Sequence, residues 1–129
     1  MGTIIYQERI YQLDLQRNPG VMYLFGDNVE RRGLGGQAKE MRNEPNAVGI
    51  RTKKAPHCGD DAFWTDLELS EHTTMIVNDL LPVVNHLKDG GAVVIPSDGL
   101  GTGLARMQET CPLTFDYLQA ALKALEEFT

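Results

Sequence analysis

The sequence predicts an α/β layered fold, on three observations. Strand-like and helix-like segments alternate along the chain, the pattern that stacks helices on a sheet. Two continuous apolar runs, residues 21–25 (VMYLF) and 92–95 (AVVI), lack the in–out alternation of half-exposed strands and read as strands buried on both faces. Each run is closed by a glycine-rich loop that leads into helix-forming sequence. An open α/β sheet places its ligand beyond the carboxyl ends of its strands, so the same pattern that predicts the fold also predicts where a site lies.

The elements follow in order. Residues 3–6 are a short β-prone start. Residues 10–15 fit either a strand or a helical turn. Asn18, Pro19 and Gly20 form a turn signal, because proline presets φ and glycine tolerates positive φ. The buried run 21–25 follows and stops at Gly26, Asp27 and Asn28. A glycine loop at 33–36 precedes residues 37–42, which are rich in helix formers. Pro45 ends that element, and residues 47–50 read as a second short strand. Residues 60–64 read as loop. From Leu69, apolar positions Ile76, Leu80, Val83 and Leu87 keep helical spacing. Pro82 interrupts them: it either kinks one helix or sits in the first turn of a shorter helix capped by Asp79. Gly90 and Gly91 stop that element. The clearest buried strand, 92–96, leads into the second glycine loop, 97–103. Thr110 with Pro112 starts a last helix whose core stripe is Phe115, Leu118, Leu122 and Leu125.

At 129 residues, with 42% hydrophobic content, the chain suits one domain, 1–129, able to build a core. Its net charge of −6 argues against binding bulk nucleic acid or anionic membrane, but leaves room for a small anionic ligand held locally. No apolar run approaches the roughly 20 residues that span a bilayer. No secretory apolar segment opens the chain, and two cysteines, Cys58 and Cys111, make no disulfide framework. The expectation is a cytoplasmic protein. His57 beside Cys58 has no companion at ligand spacing, so neither a metal centre nor thiol catalysis is expected, and no cofactor is called for.

The thirteen glycines cluster rather than spread. Glycine matters near phosphate because the missing Cβ lets backbone N–H groups approach it closely. A helix start after the loop adds partial positive charge. Gly33, Gly35 and Gly36 before Gln37 suit one phosphate cradle. Ser97, Gly99, Gly101, Thr102 and Gly103 suit another. Neither loop completes the dinucleotide fingerprint, and no Walker lysine follows either. The alternative is that both loops are only turns of a structural or interaction module, which predicts no pocket between them. Asp27 and Asn28 have two readings as well: they cap their own turn, or they meet a ribose or adenine.

Taken together, residues 25–28 (FGDN) with 33–36 (GLGG), and 95–103 (IPSDGLGTG), resemble the macro domain, a module that binds ADP-ribose. The resemblance runs from about Val21 to the last helix. It is closest to the compact branch that removes ADP-ribose from acidic side chains and DNA bases, whose strand ending in Thr-Lys matches Thr52 and Lys53. The resemblance implies a three-layer fold with a mixed central sheet and helices on both faces. It implies ADP-ribose or an ADP-ribosylated substrate as partner, and Lys53 as the nucleophile at the ribose C1″. A lysine attacks only when burial or nearby cations lower its pKa; Lys54, Arg51 and the glycine loops are the candidates for that. Where the branch carries an acid this chain has Ala105, so Asp98 is the candidate acid. Retained Thr52 and Lys53 favour an enzyme; Ala105 favours a binding-only reader.

Weaker candidates complete the reading. Arg31 and Arg32 beside the first loop are either phosphate ligands or solvated. Phe63 and Trp64 either cover a ligand or close the core. Seven of the twelve basic residues, Arg31, Arg32, Lys39, Arg42, Arg51, Lys53 and Lys54, gather between the first loop and the second short strand, a local basic neighbourhood inside an acidic total.

Overall fold

A computed structural model describes residues 1–129. The strands are β1 (Thr3–Gln7), β2 (Met22–Asn28), β3 (Ala47–Lys53) and β4 (Ala92–Pro96). The helices are α1 (Gln12–Arg17), α2 (Ala38–Met41), α3 (Leu69–Lys88), α4 (Met107–Thr110) and α5 (Pro112–Ala124). The sheet order is β1-β4-β2-β3. Every pairing is parallel, where the resemblance implied a mixed sheet. Each strand-to-strand connection carries a helix, and a helical crossover returns the chain to the same end of the sheet.

The two buried runs are the two central strands, β2 and β4. Period-two alternation divides their side chains between two cores. Leu24, Val93 and Ile95, with Ile50 of β3, pack against Ile76, Val83 and Leu87 of α3 and Leu118 of α5. Tyr23, Phe25 and Val94 face the other way, onto Ile10, Leu15 of α1 and Ala38 and Met41 of α2. Burying a side chain of this size contributes about 1.5–3 kcal/mol. Helices therefore cover both faces, and residues 10–15 resolve as the approach and first turns of α1.

Pro82 lies inside one continuous helix, α3. It sits on the solvent side, as does Asn78, whose carbonyl loses its N–H partner, so water is within reach of that carbonyl. Asp79 is therefore not a cap. Its buried carboxylate accepts from Arg31 Nη2 at 2.7 Å, from Arg51 Nη2 at 2.9 Å and from the Arg51 backbone N–H at 2.8 Å. This occupies the outer edge of β3, whose Gly49 carbonyl also accepts from Arg31 at 2.7 Å. Residues 60–62 form a 3₁₀ turn instead of open loop. Trp64 closes the core, stacked on His72 with ring centroids 3.9 Å apart. No helix is long and apolar enough to cross a membrane.

Thr110 does not begin the last helix; it ends α4. Asp66, remote in sequence, caps α5 by accepting from the N–H groups of Leu113 and Thr114, both at 3.0 Å, and from the Thr114 hydroxyl at 2.9 Å. Burial pushes the Asp66 carboxyl up, but those three hydrogen bonds more than offset it, and the net direction is down. A depressed carboxyl contributes stability above its unfolded value near 3.8, and that stability is lost as pH falls through the lower folded value. Asp66→Ala should cost about 1–2 kcal/mol in urea unfolding at pH 7. The difference between variant and wild type should shrink below about pH 4. An unchanged difference at pH 2.5 would refute this account of the cap.

Candidate functional site

The carboxyl ends of all four strands open onto one cleft of about 440 Å³, within the usual range for small-molecule sites. From the tip of β2 come Gly26, Asp27 and Asn28; from β3, Thr52 and Lys53; from β4, Pro96. Gly33, Gly35, Gly36 and Gln37 form one wall. Asp98, Gly99, Gly101, Thr102 and Gly103 form the facing one. Asp27, Gly35 and Gly101 thus share one cavity, contrary to the turn-only expectation of no pocket between the loops. Ser97 alone among the expected site residues lies outside it: its N–H donates to the Gln7 carbonyl at 3.0 Å, fastening the loop to β1.

Two glycines show why these walls need the residue. At Gly101, φ is +83°, and a Cβ would collide with Met107 Sδ and come within 3.2 Å of Leu118. At Gly33, φ is +98°, and a Cβ would meet Pro56 at 2.7 Å. Both backbones lie where L side chains rarely go and are packed too closely to admit one. Across the cleft mouth the two loops touch: Leu104 reaches within 2.9 Å of where a Gly35 Cβ would stand.

Asp27 takes the bland reading of the strand tip in a stronger form. Its Oδ1 accepts from Arg42 Nη2 at 2.6 Å and from the Asn28 N–H at 2.8 Å, and its Oδ2 accepts from Arg31 Nη1 at 3.3 Å. That carboxylate lines the cleft but is already satisfied, so it has little left to offer a base or ribose. Arg31 pairs with Asp27 and Asp79 and lies outside the cleft lining, while Arg32, which lines the cleft, pairs with Glu30 at 2.7 Å. The basic neighbourhood is correspondingly smaller than the sequence suggests: Arg31, Arg42 and Arg51 are held by two buried acids.

The orphaned groups are elsewhere. Asn28 Nδ2 donates to the Arg32 carbonyl at 2.8 Å, while its Oδ1 is buried without a partner. Gln37 Nε2 reaches the Ile10 carbonyl at 3.4 Å, and its Oε1 is likewise buried and unpartnered. Buried acceptors without donors are costly and mark places that a ligand or water completes. The Thr52 hydroxyl is not free, since it donates to the Asp27 carbonyl at 3.2 Å.

Lys53 is the cleft's buried amine. A bulge interrupts the β2–β3 register between Asp27 and Asn28, just where Lys53 leaves the strand, and bulges re-aim side chains in this way. The side chain is only 7% exposed and Nζ donates to the His57 carbonyl at 3.0 Å. Nζ also lies 4.7 Å from the Phe63 ring centroid. Burial pushes this amine below the ordinary lysine value; the Cys58 thiol opposes that and the Arg106 guanidinium adds to it. Arg51, one of the candidates for a cation beside Lys53 together with Lys54 and the glycine loops, is turned away to Asp79. Asp98 is exposed at the mouth and makes no hydrogen bond or ion pair with Lys53, and Ala105 lines the cleft as a buried apolar residue.

Glu8, Arg9, Pro56 and Leu104 also line the cleft and were not singled out from sequence. Glu8 and Arg9 follow directly on β1; their position beyond a strand end was the available signal.

The family model for a family of unknown function, DUF7831, matches residues 5–121. The chain belongs to that family. No curated protein and no solved structure matches it. The matched span of the DUF7831 chain takes in both glycine loops, Lys53 and the ion-paired Asp27 and Asp79.

Proposed function

We propose that the cleft binds ADP-ribose or a closely related nucleoside diphosphate and hydrolyses ADP-ribose from a modified side chain or nucleobase. One observation carries this reading: two glycine loops and a buried lysine open on a single cavity beyond the strand ends. The macro-like resemblance supplies the ligand, and the geometry supports it. Backbone N–H groups of the two loops suit the diphosphate. The orphaned Asn28 Oδ1 and Gln37 Oε1 want hydroxyl or amine donors, which sugars and bases carry. In the chemical step the Lys53 lone pair forms a bond to C1″ as the bond from C1″ to the substrate oxygen or nitrogen breaks. The departing atom takes a proton from Asp98 or water, and water then releases ADP-ribose and returns the free amine.

Ala105 favours a second version, in which the same cleft only binds. A cytoplasmic setting suits the two free thiols, Cys58 and Cys111. Neither version calls on a membrane, bulk nucleic acid or a cofactor.

Calorimetric titration with ADP-ribose tests the shared part. Saturable heat is expected. Gly35→Val tests the location: Gly35 has no positive φ, and the atom its Cβ would meet is the movable end of Leu104, so the fold should survive. The affinity should fall by about tenfold or more, roughly 1.4 kcal/mol. No heat from the wild type at millimolar ADP-ribose would overturn the nucleotide reading.

A further inference from the structure

Phe63 and Arg106 lie outside the cleft lining, yet both bear on the lysine inside it. The N–H groups of Lys54 and Ala55 donate to the Ala62 carbonyl at 2.9 and 3.3 Å, which folds the 60–62 turn back over the end of β3. Phe63 follows that turn, and Lys53 Nζ comes over its ring at 4.7 Å. The Arg106 guanidinium carbon comes over the same ring at 5.4 Å. A single ring therefore gathers two cations, one buried and one exposed.

The backbone at Arg106 makes this unusual. Its φ of 49° and ψ of 34° are left-handed, a region that non-glycine residues rarely occupy. The position closes a loop already made of Gly99, Gly101 and Gly103, and glycine would be the residue its backbone favours. Arginine stands there instead, and strain of this kind concentrates at functional sites.

We propose that Arg106, whose guanidinium lies over the same ring as Lys53 Nζ, orients and activates that lysine for attack, as a positioning residue that touches no reacting atom. The proposal rests on Lys53 being the nucleophile. The ring face attracts cations and so favours the ammonium, whereas a guanidinium held beside it is a like charge and disfavours the ammonium; Arg106 therefore opposes what the ring alone would do. Burial acts on Lys53 first, and Arg106 acts in the same direction. The opposing neighbour is Cys58, whose thiolate would favour the ammonium. The other charged groups of the cleft are Asp27 with Arg42, which satisfy each other, Arg32 with Glu30, and Glu8, Arg9 and Asp98.

The test labels the free protein with acetic anhydride across pH 6–11 and reads each lysine by peptide mass spectrometry, with exposed Lys39 as internal standard. Lys53 of the wild type should reach half-maximal labelling at lower pH than Lys39. Arg106→Gln keeps the left-handed strain and removes the charge; Arg106→Gly removes both, and its relaxed backbone safeguards folding. Both should lower Lys53 labelling at pH 8.5 relative to Lys39 by about two- to fivefold, the size of an exposed charge–charge interaction. Arg106→Lys should stay near the wild type. An unchanged Lys53 profile in both charge-removing variants overturns the proposal, as does a shift in Arg106→Lys equal to that in Arg106→Gly. No nucleotide is present, so the result is separable from whether the cleft takes ADP-ribose.

Discussion

Asp27→Ala should destabilise the protein by about 3–5 kcal/mol and take the cleft with it. Asp27 is 5% exposed and its carboxylate joins two arginines, Arg31 and Arg42. Arg42 is itself largely buried; it also donates to the carbonyls of Gly33 at 2.7 Å and Arg32 at 3.3 Å, and its guanidinium carbon lies 5.5 Å from the Phe25 ring centroid. Those carbonyls belong to the start of the first glycine loop and the residue before it, so Asp27 fixes that loop through Arg42. Removing the carboxylate leaves a buried guanidinium uncompensated, which costs far more than the intact pair contributes. Asp27→Asn keeps the shape and one acceptor oxygen, enough for two of the four hydrogen bonds, and should cost less, about 1–3 kcal/mol. Urea unfolding of the two variants checks the order. If Asp27→Ala cost under 1 kcal/mol, Arg42 would be rehydrating freely and the tether would be of no consequence.

This network is also where sequence reading and structure part. The strands β2 and β4 were legible because a strand buried on both faces is written as an unbroken apolar run. Both glycine loops were legible as cleft walls, because their place at strand ends is a matter of order along the chain. The ion pairs were not: Asp79 meets Arg31 across 48 positions and Arg51 across 28, and local pattern says nothing of such partners. One trace was present. Gly49 sits in the middle of β3, and a Cβ there would stand 2.6 Å from Asp27 Oδ2 and 3.0 Å from Arg31 Nη1. A glycine inside a strand often marks such a close approach. Asp66 as a remote cap of α5 left no comparable trace, and Thr110 was the plausible local substitute. Arg106 was hidden for a different reason: its role depends on a backbone twist and a shared aromatic ring, neither of which spacing encodes.

The largest effect on activity is expected at Lys53. Lys53→Ala should lower release of ADP-ribose from a modified substrate by at least about a thousandfold, since it removes the attacking atom and not an assisting one. Binding of ADP-ribose should persist, because the two loop walls and the orphaned Asn28 and Gln37 oxygens are untouched. Lys53→Arg should be as inactive as Lys53→Ala, because guanidinium keeps the charge but supplies no free amine near neutral pH. The pH dependence has a definite sign. Burial sets the Lys53 amine below the ordinary lysine value of 10.5, and only the deprotonated form attacks, so the rate should rise with pH and level off before 10.5. A rising limb is the signature of attack by the free amine, and a bell would add a donor that must hold its proton for the leaving group to depart. Binding with no release, the same in wild type and Lys53→Ala, would instead make the cleft a reader, in keeping with the alanine at position 105.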